Sequence, residues 1–250
     1  MNAALAAVAL APGLAVGSFL NVLAARLPLR RSVVKPRSAC MSCGSQLAWY
    51  DNVPLLSYVL LRGRCRLCGV AISALYPAVE VATAMLLAAC VWRFGLTGQT
   101  AVAVFFCAVL VAVTATDLTH RIVPNRIVVP AAALVVLAQT ALEPRPEWAL
   151  SAFAAAAFLL AAAVAYPAGM GMGDVKLALL MGAALGKAVA VALFGAMIFA
   201  LVPTAFLVAR HGPAARKMGI PFAPFLALGS VLALFYGHEL LQAYWALFMR

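Results

Sequence analysis

Residues 99–117 read QTAVAVFFCAVLVAVTATD, and this stretch decides the fold class. It runs without a charge until Asp117 closes it. A membrane-spanning helix needs about 20 mostly apolar residues, so the segment reads as a span that ends on an acid. Comparable runs fall near 2–24, 74–94, 125–142, 147–167, 173–186, 188–209 and 223–247, the run 173–186 being short and Gly-rich. Hydrophobic residues make up 66% of the 250 and charged residues 10%, against roughly one quarter charged in soluble domains. The expected fold is an all-α polytopic membrane protein with about eight transmembrane helices.

Charge placement predicts the topology. The N-terminal run carries its basic residues after the apolar stretch, from Arg26 onward, which reads as a retained first span (1–25) with its N-terminus outside rather than a cleaved signal. Eight of the 18 Lys and Arg residues fall in 26–73; Arg121, Arg126, Lys176, Arg210, Arg216 and Lys217 join them on one side of an eight-span arrangement. Arg93, Arg145, Lys187 and Arg250 remain on the other. The positive-inside rule makes the richer side cytoplasmic. Basic loops facing an anionic leaflet account for the net charge of +11 without nucleic acid.

The one large polar insertion, 26–73, holds Cys40-Met41-Ser42-Cys43 and Cys65-Arg66-Leu67-Cys68. Cytosolic thiols stay reduced, so paired CxxC motifs point to metal before disulfide. Four thiolates match a closed, structural zinc site that substitutes for the core so short a segment lacks. A four-cysteine site has no open position for a reacting water, which excludes zinc catalysis. Residues 26–73 are therefore expected to form a small cytoplasmic zinc-binding loop domain with ligands Cys40, Cys43, Cys65 and Cys68. Cys90 and Cys107, inside apolar runs, read as small buried hydrophobes.

Only seven acidic residues occur, and an ionisable group at membrane depth is a functional hypothesis by default. Asp117 precedes Leu118–Asn125, where Pro124 stops the helix; Asp174 follows Gly169, Gly171 and Gly173, a run too Gly-rich for a helix centre but open to close approach by a substrate. Both acids map to the same membrane edge. Two carboxylates brought together share one proton, so that one serves as base and the other as acid, the chemistry of an aspartic protease. Asp117 near a helix C-terminus and Asp174 near an N-terminus are expected to differ, with Asp174 ionised and Asp117 holding the proton. Taken singly, either Asp reads equally as a proton relay, an ion ligand or a helix-pairing group. A proton- or cation-coupled transporter is the competing class, although its acids belong near the midplane on broken helices. The Gly-Met-Gly-Met-Gly run is not a nucleotide loop, since no strand precedes it.

The residues, in order, resemble those of the type IV prepilin peptidases, bacterial inner-membrane aspartyl proteases with a Gly-x-Gly-Asp motif. The likeness begins with Gly17-Ser18-Phe19-Leu20-Asn21-Val22 and Arg26-Leu27-Pro28 and includes both cysteine pairs. It runs through Asp51-Asn52-Val53-Pro54, Gly63-Arg64-Cys65-Arg66 and Tyr76-Pro77-Ala78-Val79-Glu80. It continues with Asp117, Ile122-Val123-Pro124-Asn125, Gly171-Met172-Gly173-Asp174-Val175-Lys176-Leu177 and Pro221-Phe222-Ala223-Pro224-Phe225. Ala223 stands where Gly is expected, and Leu75 where Arg is common.

The resemblance implies that 74–250 is a transmembrane aspartyl protease core with Asp117 and Asp174 catalytic at the cytoplasmic face. It implies prepilin and type II secretion pseudopilin substrates, cut after a Gly that ends a short basic leader. It also implies N-methylation of the new terminus with S-adenosylmethionine, the long form carrying the cysteine loop being the bifunctional one; a cleavage-only peptidase is the alternative. Glu80 reads either as a group orienting the new amine or as a helix-pairing carboxylate. Lys176 reads as a partner of Asp174 or as a side chain reaching the interface. Gly171 and Gly173 are expected to support the substrate, and the basic loop is assigned to lipid.

Overall fold

The computed structural model describes residues 2–166, 170–212 and 220–248; Gly169, Arg216, Lys217 and Arg250, and most of the Arg210–Pro221 turn, lie outside them. The described residues form α-helices α1 (Asn2–Arg26), α2 (Leu56–Leu60), α3 (Leu75–Phe94), α4 (Gly98–His120), α5 (Asn125–Leu142), α6 (Glu147–Ala165), α7 (Met172–Leu185), α8 (Val189–His211) and α9 (Ala223–Phe248). No β-strand occurs among them, only the isolated bridges Ala39↔Gln46 and Arg64↔Ala71.

Each apolar run expected to be a span is helical over most of its described residues. Among the described residues seven stretches are long and apolar enough to cross a membrane, because Met172–His211 counts as one stretch of 40 residues. That stretch is broken by the 3-10 turn Gly186–Ala188, with Gly186 at φ 55°. Taken alone, α7 has 14 residues, about 21 Å at 1.5 Å per residue, short of the roughly 30 Å hydrocarbon core. Large apolar side chains face outward on the long helices, among them Phe153 and Val202 at 70% and 74% exposure. Such surface on so many long apolar helices is a lipid-facing surface. The chain is a multi-pass helical membrane protein.

The chain divides into two compact units, residues 1–116 and 117–250. In the first, α1 lies along α3. Gly13 and Gly17 set that approach: a Cβ on either would fall 2.6 Å from the Cα of Ala84 or Glu80. Small residues one turn apart let two helix backbones close in lipid, where packing rather than water drives association. Asn21 Nδ2 adds a hydrogen bond to the Tyr76 carbonyl at 3.0 Å. Cys90 and Cys107 are fully buried in this unit, their sulfurs 3.9 Å apart.

In the second unit α7 packs against both α5 and α6, and α8 lies along α9. Ten of the fourteen α7 residues are buried, so α7 is a core helix rather than an amphipathic one. Gly182 permits this, since a Cβ there would fall 2.6 Å from the Ala152 Cα on α6. The Gln139 amide of α5 donates to the Ala184 carbonyl of α7 at 3.3 Å.

Candidate active site

Asp117 sits in the last turn of α4. Its carbonyl accepts the Arg121 N–H at 2.9 Å, and Arg121, at φ 53°, turns the chain out of the helix. Pro124 then caps α5 in extended conformation, φ −74° and ψ 111°. The helix stops at His120, four residues before Pro124, which begins the next helix instead of ending this one. Asp174 lies in the first turn of α7, its N–H bonded to the Gly171 carbonyl at 3.1 Å, with Gly171 extended as the cap.

Both carboxylates are buried, Asp117 at 6% exposure and Asp174 at 9%, and they are close enough for a direct Coulombic interaction. Two features hold them there. The Val123 side chain packs against Gly173, so a Cβ on Gly173 would meet the Val123 Cβ at 2.7 Å. The Ala223 N–H, at the start of α9, donates to Asp117 Oδ2 at 3.2 Å. Gly171 differs from Gly173: among the described residues a Cβ there would meet nothing closer than Asp174 Oδ2 at 3.8 Å. Lys176 is tied to neither Asp; its Nζ donates to Asn125 Oδ1 at 3.0 Å, linking α7 to the start of α5.

Glu80 belongs to the first unit. Buried at 8% exposure, it accepts the Leu55 N–H on Oε2 at 2.7 Å. Leu55 is at φ 60°, a conformation costly for a branched residue, so the carboxylate pins a strained turn of the loop onto α3. The segment beside it is held by Arg66, whose Nε lies 3.0 and 3.1 Å from the two Asp51 oxygens and whose Nη2 lies 2.7 Å from Oδ1.

The two cysteine pairs converge. The sulfurs of Cys40, Cys43, Cys65 and Cys68 all lie within 4.8 Å of one another, and the group could hold a metal ion. The Cys40–Cys68 separation is 3.8 Å, and a tetrahedral zinc with bonds of about 2.3 Å requires sulfur–sulfur edges of about 3.8 Å. The donor set and spacing fit. The hairpins are twins: Cys40 and Cys65 each accept the N–H of the glycine four residues on, at 2.9 Å, and donate to Ser45 and Val70 at 2.9 Å. Those glycines, Gly44 and Gly69, have φ of 70° and 68°, which a glycine adopts without strain. The Ser45 side chain and backbone pull the Cys43 thiol down to about 6, while burial and the neighbouring thiols push Cys68 up to about 11.

The sequence reading missed Ala223 as a partner of Asp117, and the Gly after each CxxC. The latter was visible as a repeated CxxCG; the former, a main-chain contact across 106 residues, carried no local signal.

Comparisons with known proteins show the family. A profile described as "Bacterial Peptidase A24 N-terminal domain" matches residues 12–94, and one described as "Type IV leader peptidase family" matches 104–205. A curated "Prepilin leader peptidase/N-methyltransferase" of Bacillus subtilis is 36% identical over 236 residues, 93% of this chain and 94% of the relative. Proteins of the same description from Burkholderia pseudomallei strain 1026b and Pseudomonas aeruginosa are 33% and 31% identical, covering 92% and 93% of this chain and 85% and 90% of theirs. No solved structure matches the chain.

Proposed function

The chain belongs to the type IV leader peptidase family, whose reactions are prepilin cleavage and N-methylation, and we propose that Asp117 and Asp174 carry the cleavage. The observation behind this is the burial of the two carboxylates together, brought from different helices to one place. The substrates are prepilins and pseudopilins whose leader ends in Gly. The enzyme sits in the bacterial inner membrane with its N-terminus outside and the carboxylate pair at the cytoplasmic face, in keeping with the basic flanks at Arg26–Arg37 and at Arg121 and Arg126.

In the reaction, water lies between the carboxylates. The ionised one takes a proton from it as the oxygen attacks the scissile carbonyl carbon. The protonated one donates a hydrogen bond to the carbonyl oxygen, where negative charge develops. As the tetrahedral species collapses the C–N bond breaks, and a proton passes to the departing nitrogen. The leader keeps the new carboxylate and the mature chain the new amine. Gly171 leaves space for the substrate backbone, and Gly173 with Val123 fixes the acids relative to the loop after α4.

Zinc held by Cys40, Cys43, Cys65 and Cys68 would crosslink the loop without taking part in bond breaking, its coordination being closed by four thiolates. S-adenosylmethionine is the second substrate, supplying the methyl group for the new amine. Glu80 acts here as the group that docks the loop on α3.

The test uses detergent-solubilised protein, a synthetic prepilin and S-adenosylmethionine, read by mass spectrometry. Cleavage after Gly, a mature chain one methylene heavier, and no adduct on added hydroxylamine are expected. A hydroxamate on the leader would show an acyl-enzyme and contradict the water-based mechanism.

A further inference from the structure

A third helix bears on which carboxylate begins as the base. Ala223 is fully buried and is the first residue of α9, so its N–H is one of the donors that a helix start leaves without an intrahelical partner. It is aimed at Asp117 Oδ2. A helix start also carries partial positive charge, which favours an anion there.

Among the described residues, the charged groups acting on this pair are the two carboxylates on each other and, on Asp117, the Arg121 guanidinium just after α4. The first turn of α9, Ala223–Leu226, has no charged side chain. Asn125, at the start of α5, engages Lys176. Asp174 faces the Asp117 charge and accepts a backbone hydrogen bond from Gly171 at the start of its own helix; the 3.2 Å contact from Ala223 to Asp117 Oδ2 is the one that reaches across from a third helix.

We propose, resting on the reading of Asp117 and Asp174 as the cleaving pair, that the Ala223 amide fixes Asp117 as the ionised base and leaves the shared proton on Asp174. An amide N–H donates but cannot accept, so it favours a carboxylate over a carboxyl at Oδ2. Holding Oδ2 also fixes the side chain, leaving Oδ1 to take the proton from water. This order is the reverse of the one expected from the α4 and α7 dipoles alone, because those two helices omit the third. The donor is main chain, so Ala in place of the expected Gly leaves it intact. Ala223 is a positioning group; it touches no substrate.

Replacing Ala223 by its α-hydroxy analogue turns this amide into an ester, deleting the N–H and keeping the methyl side chain. The measurement is kcat/KM for prepilin cleavage against pH. Without the donor, the protonated form of Asp117 persists to higher pH, so the acid limb moves upward by about one pH unit, a tenfold loss on the acid side. The plateau changes less. A superimposable profile, or a uniform loss with no displacement of the acid limb, overturns the proposal. Carbon NMR titration of labelled Asp carboxyls in the unmodified protein is the second measurement: Asp117 ionising first is expected, and Asp174 ionising first overturns it. Should Asp117→Asn or Asp174→Asn still cleave, the pair itself is not catalytic, a separate failure that removes the premise.

Discussion

The Val123 side chain fills the space into which a Cβ on Gly173 would project, its own Cβ lying 2.7 Å from that position. The loop leaving α4 is thereby wedged against the first turn of α7, and the chain on either side of the wedge carries Asp117 and Asp174. The second glycine of Gly-Met-Gly-Asp is thus a packing requirement, while a Cβ on the first would meet the described residues only at ordinary contact distance.

Gly173→Ala should displace Val123 and with it the α4–α5 loop. Misplacement of a reacting group by about 1 Å costs on the order of a hundredfold in rate, and kcat for prepilin cleavage should fall by that order. Gly173→Ala with Val123→Ala in the same chain should recover part of it. A single variant cleaving at the wild-type rate would show that the wedge does not position the acids.

Gly171→Ala makes the contrasting case. Its Cβ would meet Asp174 Oδ2 at an ordinary 3.8 Å, so thermal stability should be unchanged. The methyl would occupy the room left for substrate, and KM should rise. An unchanged KM would mean the substrate passes elsewhere.

Glu80→Ala removes the acceptor of the Leu55 N–H. Leaving a buried donor unpaired costs about 1–3 kcal/mol, and limited proteolysis should cut near 53–60 faster than in wild type. Glu80→Gln keeps an acceptor oxygen and should protect the loop. If Glu80→Gln protects the loop but abolishes methylation, the carboxylate acts on the new amine as well as on the loop; if Glu80→Ala leaves the loop as protected as wild type, Glu80 does not dock it.

Metal analysis should find one zinc per chain, lost in Cys40→Ser and Cys68→Ser. Zinc binds thiolates, so lowering the pH protonates the ligands and releases it. Chelation should expose 26–73 to protease while prepilin cleavage persists. Loss of cleavage on the same time course as zinc would give the loop a part in the first reaction.

Much of this was legible in the sequence, and for a physical reason. Lipid demands long uncharged runs, so α1, α3, α4, α5, α6, α8 and α9 announced themselves, and an acid at the edge of such a run, as at Asp117, stood out. The four cysteines were legible because metal ligands come in fixed spacings. What stayed hidden were contacts between segments distant in the chain. Ala223 reaches Asp117 through its main chain, which no side-chain pattern encodes. Lys176 donates to Asn125 and not to Asp174, because the α7 start lies against the α5 start. The break at Gly186 was blurred, since the apolar run continues across it and only the backbone turns.

The most direct measurement is prepilin cleavage by purified Asp117→Asn and Asp174→Asn, each first shown to melt like wild type. General acid–base catalysis by a positioned side chain contributes roughly a hundred- to ten-thousandfold, and each variant should lose at least that much, with methylation of a pre-cleaved pilin retained. Either variant cleaving near the wild-type rate would make that aspartate a structural group and contradict the two-carboxylate mechanism.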